Sequence, residues 1–263
     1  MLDQPEALRA LFHPRREYPF ASAAPGVHPV SVEVEPGIAI GGRLYPAHPE
    51  APAILFHHGN GEIAADYDSI GPLYTRLGIT LLVADYRGYG TSGGAPTASN
   101  LLTDAVAVFN ALDSLFEEHG LAPSRLYVMG RSLGSAAAIE VAVHAGDQLA
   151  GLVIESGGWD AVALLARLGV RVQGADKDRD GFGNLAKIRR VTIPTLFIHG
   201  QNDVLIPAPD GQELHRCSAA EDKRLLLIPG AGHNDLMMVG MAQYFGAIRT
   251  FVFGKVEEEE KGP

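Results

Sequence analysis

Residues 126–138 read Leu-Tyr-Val-Met-Gly-Arg-Ser-Leu-Gly-Ser-Ala-Ala-Ala. A short apolar strand runs through Gly130-Arg131-Ser132-Leu133-Gly134 into a helix of small residues. A serine in the pattern G-x-S-x-G sits on a sharp, strained strand-to-helix turn that points its hydroxyl out of the sheet. Glycine two residues before and two after Ser132 lets the helix fold back close to the strand, and Ser135-Ala136-Ala137-Ala138 extends the close approach. The turn places Ser132 at a helix N-terminus, where free N–H groups and the helix dipole favour an anion. Few chain architectures accept such a turn; a parallel sheet under helices does.

The rest of the chain fits that architecture. Ser31–Glu35 alternates Val32 and Val34 with polar residues, and Ile38–Tyr45 reads as its hairpin partner across Pro36-Gly37. Short apolar runs then alternate with helical stretches. The strands are Ala53–His57, Thr80–Ala84, Leu126–Met129, Gly151–Glu155, Thr195–His199 and Arg224–Ile228. The intervening helices fall near Ala64–Leu77, Leu101–Glu118, the residues after Ser132, Pro209–Arg216 and Leu236–Phe253. Non-alternating apolar strands mean a mainly parallel, eight-stranded sheet with helices on both faces. The first ~28 residues, punctuated by Pro14, Pro19, Pro25 and Pro29, read as irregular. No repeat or low-complexity linker divides the chain, so residues 1–263 read as a single domain. Within it, residues 159–190 interrupt the alternation after the sixth strand and read as a small lid-like insertion. Residues 255–263, with Glu257–Glu260, read as a disordered acidic tail.

Composition excludes several function classes. A formal net charge of −10 argues against nucleic acid as a partner. One cysteine, Cys217, excludes an internal disulfide framework. No basic leader is read at the N-terminus, and no segment is read as approaching the roughly 20 apolar residues of a membrane span, so stable membrane insertion is not expected and the cytoplasm is the expected compartment.

A serine hydroxyl is a weak nucleophile until a base accepts its proton, and that base needs an orienting acid. His233, in Gly230-Ala231-Gly232-His233-Asn234-Asp235, follows the last strand in a glycine-flanked loop and is the candidate base. Asp203, in His199-Gly200-Gln201-Asn202-Asp203, follows the preceding strand and is the candidate acid; Glu155, at the end of an earlier strand, is its rival. All three candidates lie beyond strand C-termini, where parallel α/β sheets place their ligands. The glycine-bearing loop His57-His58-Gly59-Asn60-Gly61-Glu62 supplies a candidate oxyanion donor in the N–H of Asn60, with the N–H of Leu133 as the second. Each such donor contributes about 3–4 kcal/mol to a transition state. Candidate substrate contacts are Gly61, Trp159, Phe182 and Met237, with Tyr67 nearby.

These motifs resemble the α/β-hydrolase-fold serine hydrolases. The carrying residues are His58-Gly59-Asn60-Gly61, the run Asp85–Gly94, the Ser132 elbow, His199–Asp203 and Gly232–Asp235, spanning residues ~53–250 in the order the fold requires. Within that superfamily the chain is similar to bacterial relatives of the depalmitoylase-like branch. The resemblance implies an α/β-hydrolase fold and hydrolysis of a small-molecule acyl ester or thioester by a Ser-His-Asp triad without cofactor. Membrane-directed members carry an N-terminal cysteine-rich segment, whereas the single cysteine here is Cys217, so the acyl group stays open. A peptidase or amidase with the same triad, and a non-hydrolytic receptor on the same fold, are the alternatives.

Other polar features are read as structural. Asp235 reads as a cap for the last helix and Arg87 as part of a turn-rich loop. Asp176-Lys177-Asp178-Arg179-Asp180-Gly181 resembles half of a calcium loop, but Lys187 stands where a bidentate acid is needed, so no metal site is assigned.

Overall fold

From the third to the seventh, every strand residue but Leu126 is buried, because each strand is covered on both faces. In the computed structural model, which describes residues 2–18, 23–170 and 181–254, the chain forms one eight-stranded sheet. The strands are β1 (His28–Glu35), β2 (Ile38–Tyr45), β3 (Ala53–His57), β4 (Thr80–Ala84), β5 (Leu126–Arg131), β6 (Gly151–Glu155), β7 (Thr195–Gly200) and β8 (Lys223–Ile228). Their spatial order is β1-β2-β4-β3-β5-β6-β7-β8. β2 pairs antiparallel with β1 and with β4; all other pairs are parallel.

Strand side chains alternate between two cores. Leu55, Leu82, Val128, Leu152, Ile154 and Phe197 face one of them. That layer is built from α1 (Pro5–Leu11), α3 (Ala98–Asn110), α4 (Leu112–Glu118), α5 (Gly134–Ala145), α6 (Ala161–Arg167), α7 (Asn184–Ile188) and α8 (Ala208–Cys217). Ile54, Phe56, Leu81, Val83, Tyr127, Met129, Val153 and Ile198 face the other, under α2 (Gly71–Arg76) and α9 (Leu236–Phe253).

Several expectations change. The N-terminal region is not wholly irregular: Pro5 opens α1, which buries Ala7 and Leu11. The helix expected over 64–77 is a 3₁₀ segment, Ala64–Ser69, followed by α2, and that over 101–118 breaks into α3 and α4. β5 continues to Arg131, so a charged residue ends a buried strand. α9 is, by length and composition, apolar enough to cross a membrane, against the sequence expectation. Here it buries Tyr244, Ile248 and Val252 in the second core. The lid-like insertion contains α6 and α7; the Asp176–Asp180 loop and the acidic tail lie outside the described residues.

The elbow has the geometry its glycines require. Ser132 takes φ 52°, a left-handed value costly for a non-glycine residue. A Cβ at Gly130 would overlap the Gly134 carbonyl, and one at Gly134 would overlap the His57 carbonyl. The two glycines thus set how closely α5 approaches β5 and β3. We predict that Gly134→Ala destabilises the fold by about 1–3 kcal/mol, measured by urea denaturation. A change within a few tenths of a kcal/mol would show that the approach relaxes freely.

Candidate active site

Ser132, His233 and Asp203 come from three separate strand ends and meet in one hydrogen-bond chain. Ser132 leaves β5, Asp203 leaves β7 and His233 leaves β8. His233 Nε2 lies 2.9 Å from Ser132 Oγ, and His233 Nδ1 lies 2.7 Å from Asp203 Oδ2. Asp203 is itself fixed: its Oδ1 accepts from the N–H groups of Leu205 at 2.9 Å and Ile206 at 2.8 Å. Burial opposes the Asp203 charge, but hydrogen bonds from His199 and His233 outweigh it and hold the carboxyl well below the usual carboxylate range. With Nδ1 bonded to an acid that stays ionised, the imidazole directs Nε2 at the serine.

The loop after β3 is held from beneath. His57 and His58 are both buried. Burial, reinforced by the neighbouring His58, pushes His57 down to about 3, so it stays neutral. His58 Nδ1 donates to the Gly59 carbonyl at 2.8 Å, and Nε2 stands 3.2 Å from Asp85 Oδ1. Gly61 supplies the left-handed turn at φ 77°. Above the loop, the Asn60 carboxamide is gripped by the N-terminal segment. Its Oδ1 accepts from the His13 N–H at 2.8 Å and from the Tyr89 hydroxyl at 2.7 Å. Among the described residues, neither the Asn60 nor the Leu133 backbone N–H donates to a protein acceptor. Both residues line the same cavity as Ser132 and His233.

Arg131 and Glu155 organise the other side. The Arg131 guanidinium, 8% exposed, donates Nε to Glu155 Oε1 at 3.1 Å and pairs with Glu62. Its Nη2 donates to the His233 carbonyl at 3.1 Å and to Asn234 Oδ1 at 2.8 Å. Glu155 Oε2 accepts from the Tyr244 hydroxyl at 2.6 Å. Burial raises the Glu155 pKa, against the pull of Arg131 and the Tyr244 hydroxyl. Glu155 is therefore committed to Arg131 and Tyr244, while Asp203 holds the imidazole. Glu62 Oε2 in turn accepts from the Gly59 N–H at 2.8 Å and the Tyr67 hydroxyl at 2.9 Å.

Two cavities open on Ser132. One, of about 230 Å³, is lined by His13, Asn60, Ser132, His233 and the apolar side chains of Leu164, Leu168 and Leu205. The other is narrow, about 30 Å³, and runs under α6 between Leu133, Ala136, Leu164, Phe182 and Ile206. Leu133 and Phe182 both line this narrow cavity with Ser132. Trp159 is half-buried against the core that holds Phe182. Met237 is displaced from its expected place: it lines a third cavity, of about 330 Å³, behind Arg131 with Tyr67 and Glu155. It lies four residues past His233, and the turn into α9 carries it to the far side of the Arg131 side chain. The sequence reading also missed Arg131 and Glu155 as a pair, although a charge at the end of an otherwise apolar buried strand calls for a buried partner. Arg87 has a structural role, donating twice to Asp104 at 2.7 Å. Among the described residues no cluster of potential ligands could hold a metal ion.

A strained serine at the tip of β5 in an eight-stranded sheet, parallel but for β2, defines the α/β-hydrolase class of fold. The chain belongs to the α/β-hydrolase family. Residues 48–173 match the family model described as serine aminopeptidase, S33. The chain is 32% identical over 238 residues to the uncharacterized protein Rv2307c of Mycobacterium tuberculosis, covering 88% of this chain and 81% of that protein. It is 33% identical over 210 residues to human alpha/beta hydrolase domain-containing protein 17B, covering 76% of this chain and 65% of the human protein. Among solved structures, the Pyrococcus furiosus esterase Pf2001 aligns with TM-score 0.71 at 20% identity, over 90% of this chain and 97% of that chain. A soluble variant of monoglyceride lipase from Saccharomyces cerevisiae aligns with TM-score 0.68 at 18% identity, over 90% and 98%. The protein is accordingly a hydrolase of the esterase and lipase type of fold.

The buried cation makes a sharp prediction. Arg131→Met leaves Glu155 without its counter-ion, and we expect a loss of about 3–5 kcal/mol in denaturant unfolding. Adding Glu155→Gln to Arg131→Met removes the unpaired charge and should restore part of that loss. A double variant no more stable than Arg131→Met would refute the pairing.

Proposed function

We propose that the protein is a serine hydrolase that cleaves carboxylic ester or thioester bonds of small acyl substrates through an acyl-enzyme on Ser132. The observation that carries this reading is the unbroken chain Ser132 Oγ–His233–Asp203, at 2.9 Å and 2.7 Å, opening on a cavity. In the first step His233 Nε2 takes the Ser132 proton as the oxygen attacks the acyl carbonyl. The tetrahedral oxyanion is received by the N–H groups of Asn60 and Leu133, which spend no hydrogen bond elsewhere among the described residues. His233, its positive charge offset by Asp203, then gives the proton to the departing oxygen or sulfur, and water repeats the sequence to release the acid.

The leaving atom must sit within reach of His233 Nε2. The leaving group therefore occupies the cavity that His233 lines, and the acyl group takes the narrow one beside Leu133 and Phe182. The aminopeptidase description of the matched family supports a second reading, amide cleavage. An aminopeptidase must hold a substrate ammonium, and the carboxylates that line the narrow cavity are already engaged. Asp160 accepts from the Ala163 N–H at 2.8 Å, and Asp210 pairs with Arg167 at 3.3 Å. That occupancy favours esters, and kinetics on matched ester and amide substrates would separate the two.

A fluorophosphonate probe should label the wild-type protein and leave Ser132→Ala unlabelled; an unlabelled wild type would end the proposal. Asp203→Asn should lower kcat on a model ester by roughly 10⁴-fold with the fold intact. The pH dependence follows from Asp203. A depressed carboxyl stays ionised above the ordinary carboxylate range and loses its charge only as pH falls through its lowered value. The acid limb of kcat/KM should thus show no inflection from Asp203 in the usual carboxylate range. An inflection from Asp203 in that range would contradict this.

A further inference from the structure

The narrow cavity beside Ser132 is lined by Leu133, Ala136, Leu164, Phe182 and Ile206 together with several polar residues, and one buried polar atom among them has no partner among the described residues. Asn184, the first residue of α7, is 3% exposed. Its Nδ2 donates to the Gly158 carbonyl at 2.8 Å, which ties α7 to the loop after β6. Its Oδ1 is buried and has no hydrogen-bond partner among the described residues. The orientation of the carboxamide is fixed by that contact, because a carbonyl can accept only from the amide nitrogen. An unsatisfied buried acceptor costs about 1–3 kcal/mol, so the site is out of balance until a donor arrives.

Asn184 lines the cavity that also holds Ser132, Leu133 and Phe182. We infer that this cavity is a subsite for an acyl group that carries a hydroxyl, with Asn184 Oδ1 accepting the hydroxyl hydrogen. The inference rests on the serine-hydrolase reading of Ser132 and deepens it by naming the acyl class. Apolar walls with a few placed polar groups are the usual design of a selective small-molecule site. A hydroxyl fits better than an amide. An amide would bring a carbonyl that needs a donor of its own. Ser135 Oγ already donates to the Ser132 carbonyl at 2.6 Å, Arg167 Nη1 donates to Asp210 and the Leu205 carbonyl, and the Leu133 N–H is assigned to the oxyanion. A plain alkyl chain fills the apolar walls but leaves Asn184 unpaired, and a buried polar group left unpaired is how a site rejects an analogue lacking the hydroxyl.

The test is the kcat/KM of the wild-type protein on p-nitrophenyl hexanoate against a series of its singly hydroxylated acyl analogues. At one hydroxyl position the analogue should be favoured about tenfold or more over the plain ester. In Asn184→Leu, which is close in size but has no acceptor, that ratio should fall to about one. Asn184→Ala provides a second acceptor-free variant should the leucine variant not fold, and it should give the same collapse. Equal turnover of all esters by the wild type would overturn the inference, since solvent would then satisfy Asn184. A preference that survives both substitutions would overturn it too. Failure of the underlying reading looks different: the wild type would hydrolyse none of the esters and take no fluorophosphonate label.

Discussion

The guanidinium of Arg131 is the interaction on which the candidate site depends. It stands at the end of β5, one residue before Ser132, and reaches three other strand ends at once. It pairs with Glu62 from the loop after β3, with Glu155 from the end of β6, and donates to the His233 carbonyl and Asn234 beyond β8. The loop that presents the Asn60 N–H and the loop that presents the imidazole are thereby tied to the residue beside Ser132. A buried charge is costly unless it is paired and fully hydrogen-bonded. That cost makes the arrangement cooperative: Glu62, Glu155 and the His233 loop hold Arg131 in place as much as it holds them. The planar, five-donor guanidinium suits this task, because its donors reach partners in several directions that a lysine ammonium would serve only one or two at a time.

The position of Arg131 explains a division of labour between two carboxylates. Glu155 and Asp203 both follow buried strands near the imidazole, and sequence alone leaves them as rivals. Glu155 is saturated by Arg131 and the Tyr244 hydroxyl, in surroundings that disfavour its charge. Asp203 collects two backbone N–H groups and two histidines, which favour its charge. Environment assigns one acid to structure and the other to the imidazole.

The parts of this arrangement that were legible in the sequence are those governed by local rules. The glycine spacing around Ser132 follows from a steric need between residues four apart, and the apolar strands follow from burial on both faces. The order Ser132, Asp203, His233 follows from where parallel strands end. What escaped was set by long-range contact. His13 meets Asn60 across 47 residues of chain, and nothing in the Pro-punctuated N-terminal stretch announces that it straps the loop after β3. Glu62 meets Arg131 across 69 residues. Met237 is the complementary case: it lies four residues past His233 in sequence, yet the start of α9 turns it behind Arg131. α1 escaped because a seven-residue helix carries too few periods to stand out from its prolines.

The same logic locates where specificity resides. The hydrogen-bond chain and the two free N–H groups are built from strand ends and from the loop beneath Asn60, all rigidly braced. Much of the walls of the two cavities comes instead from α6, from the first residue of α7 and from Ala10, Leu11 and His13 around the end of α1. The hydrogen-bond chain is therefore tied to the core by Arg131, while Leu164, Phe182 and Asn184, the wall proposed to face the acyl group, are carried on the insertion between β6 and β7. Substitution in that wall can change which acyl group fits without disturbing the charges that hold Ser132 and His233 together.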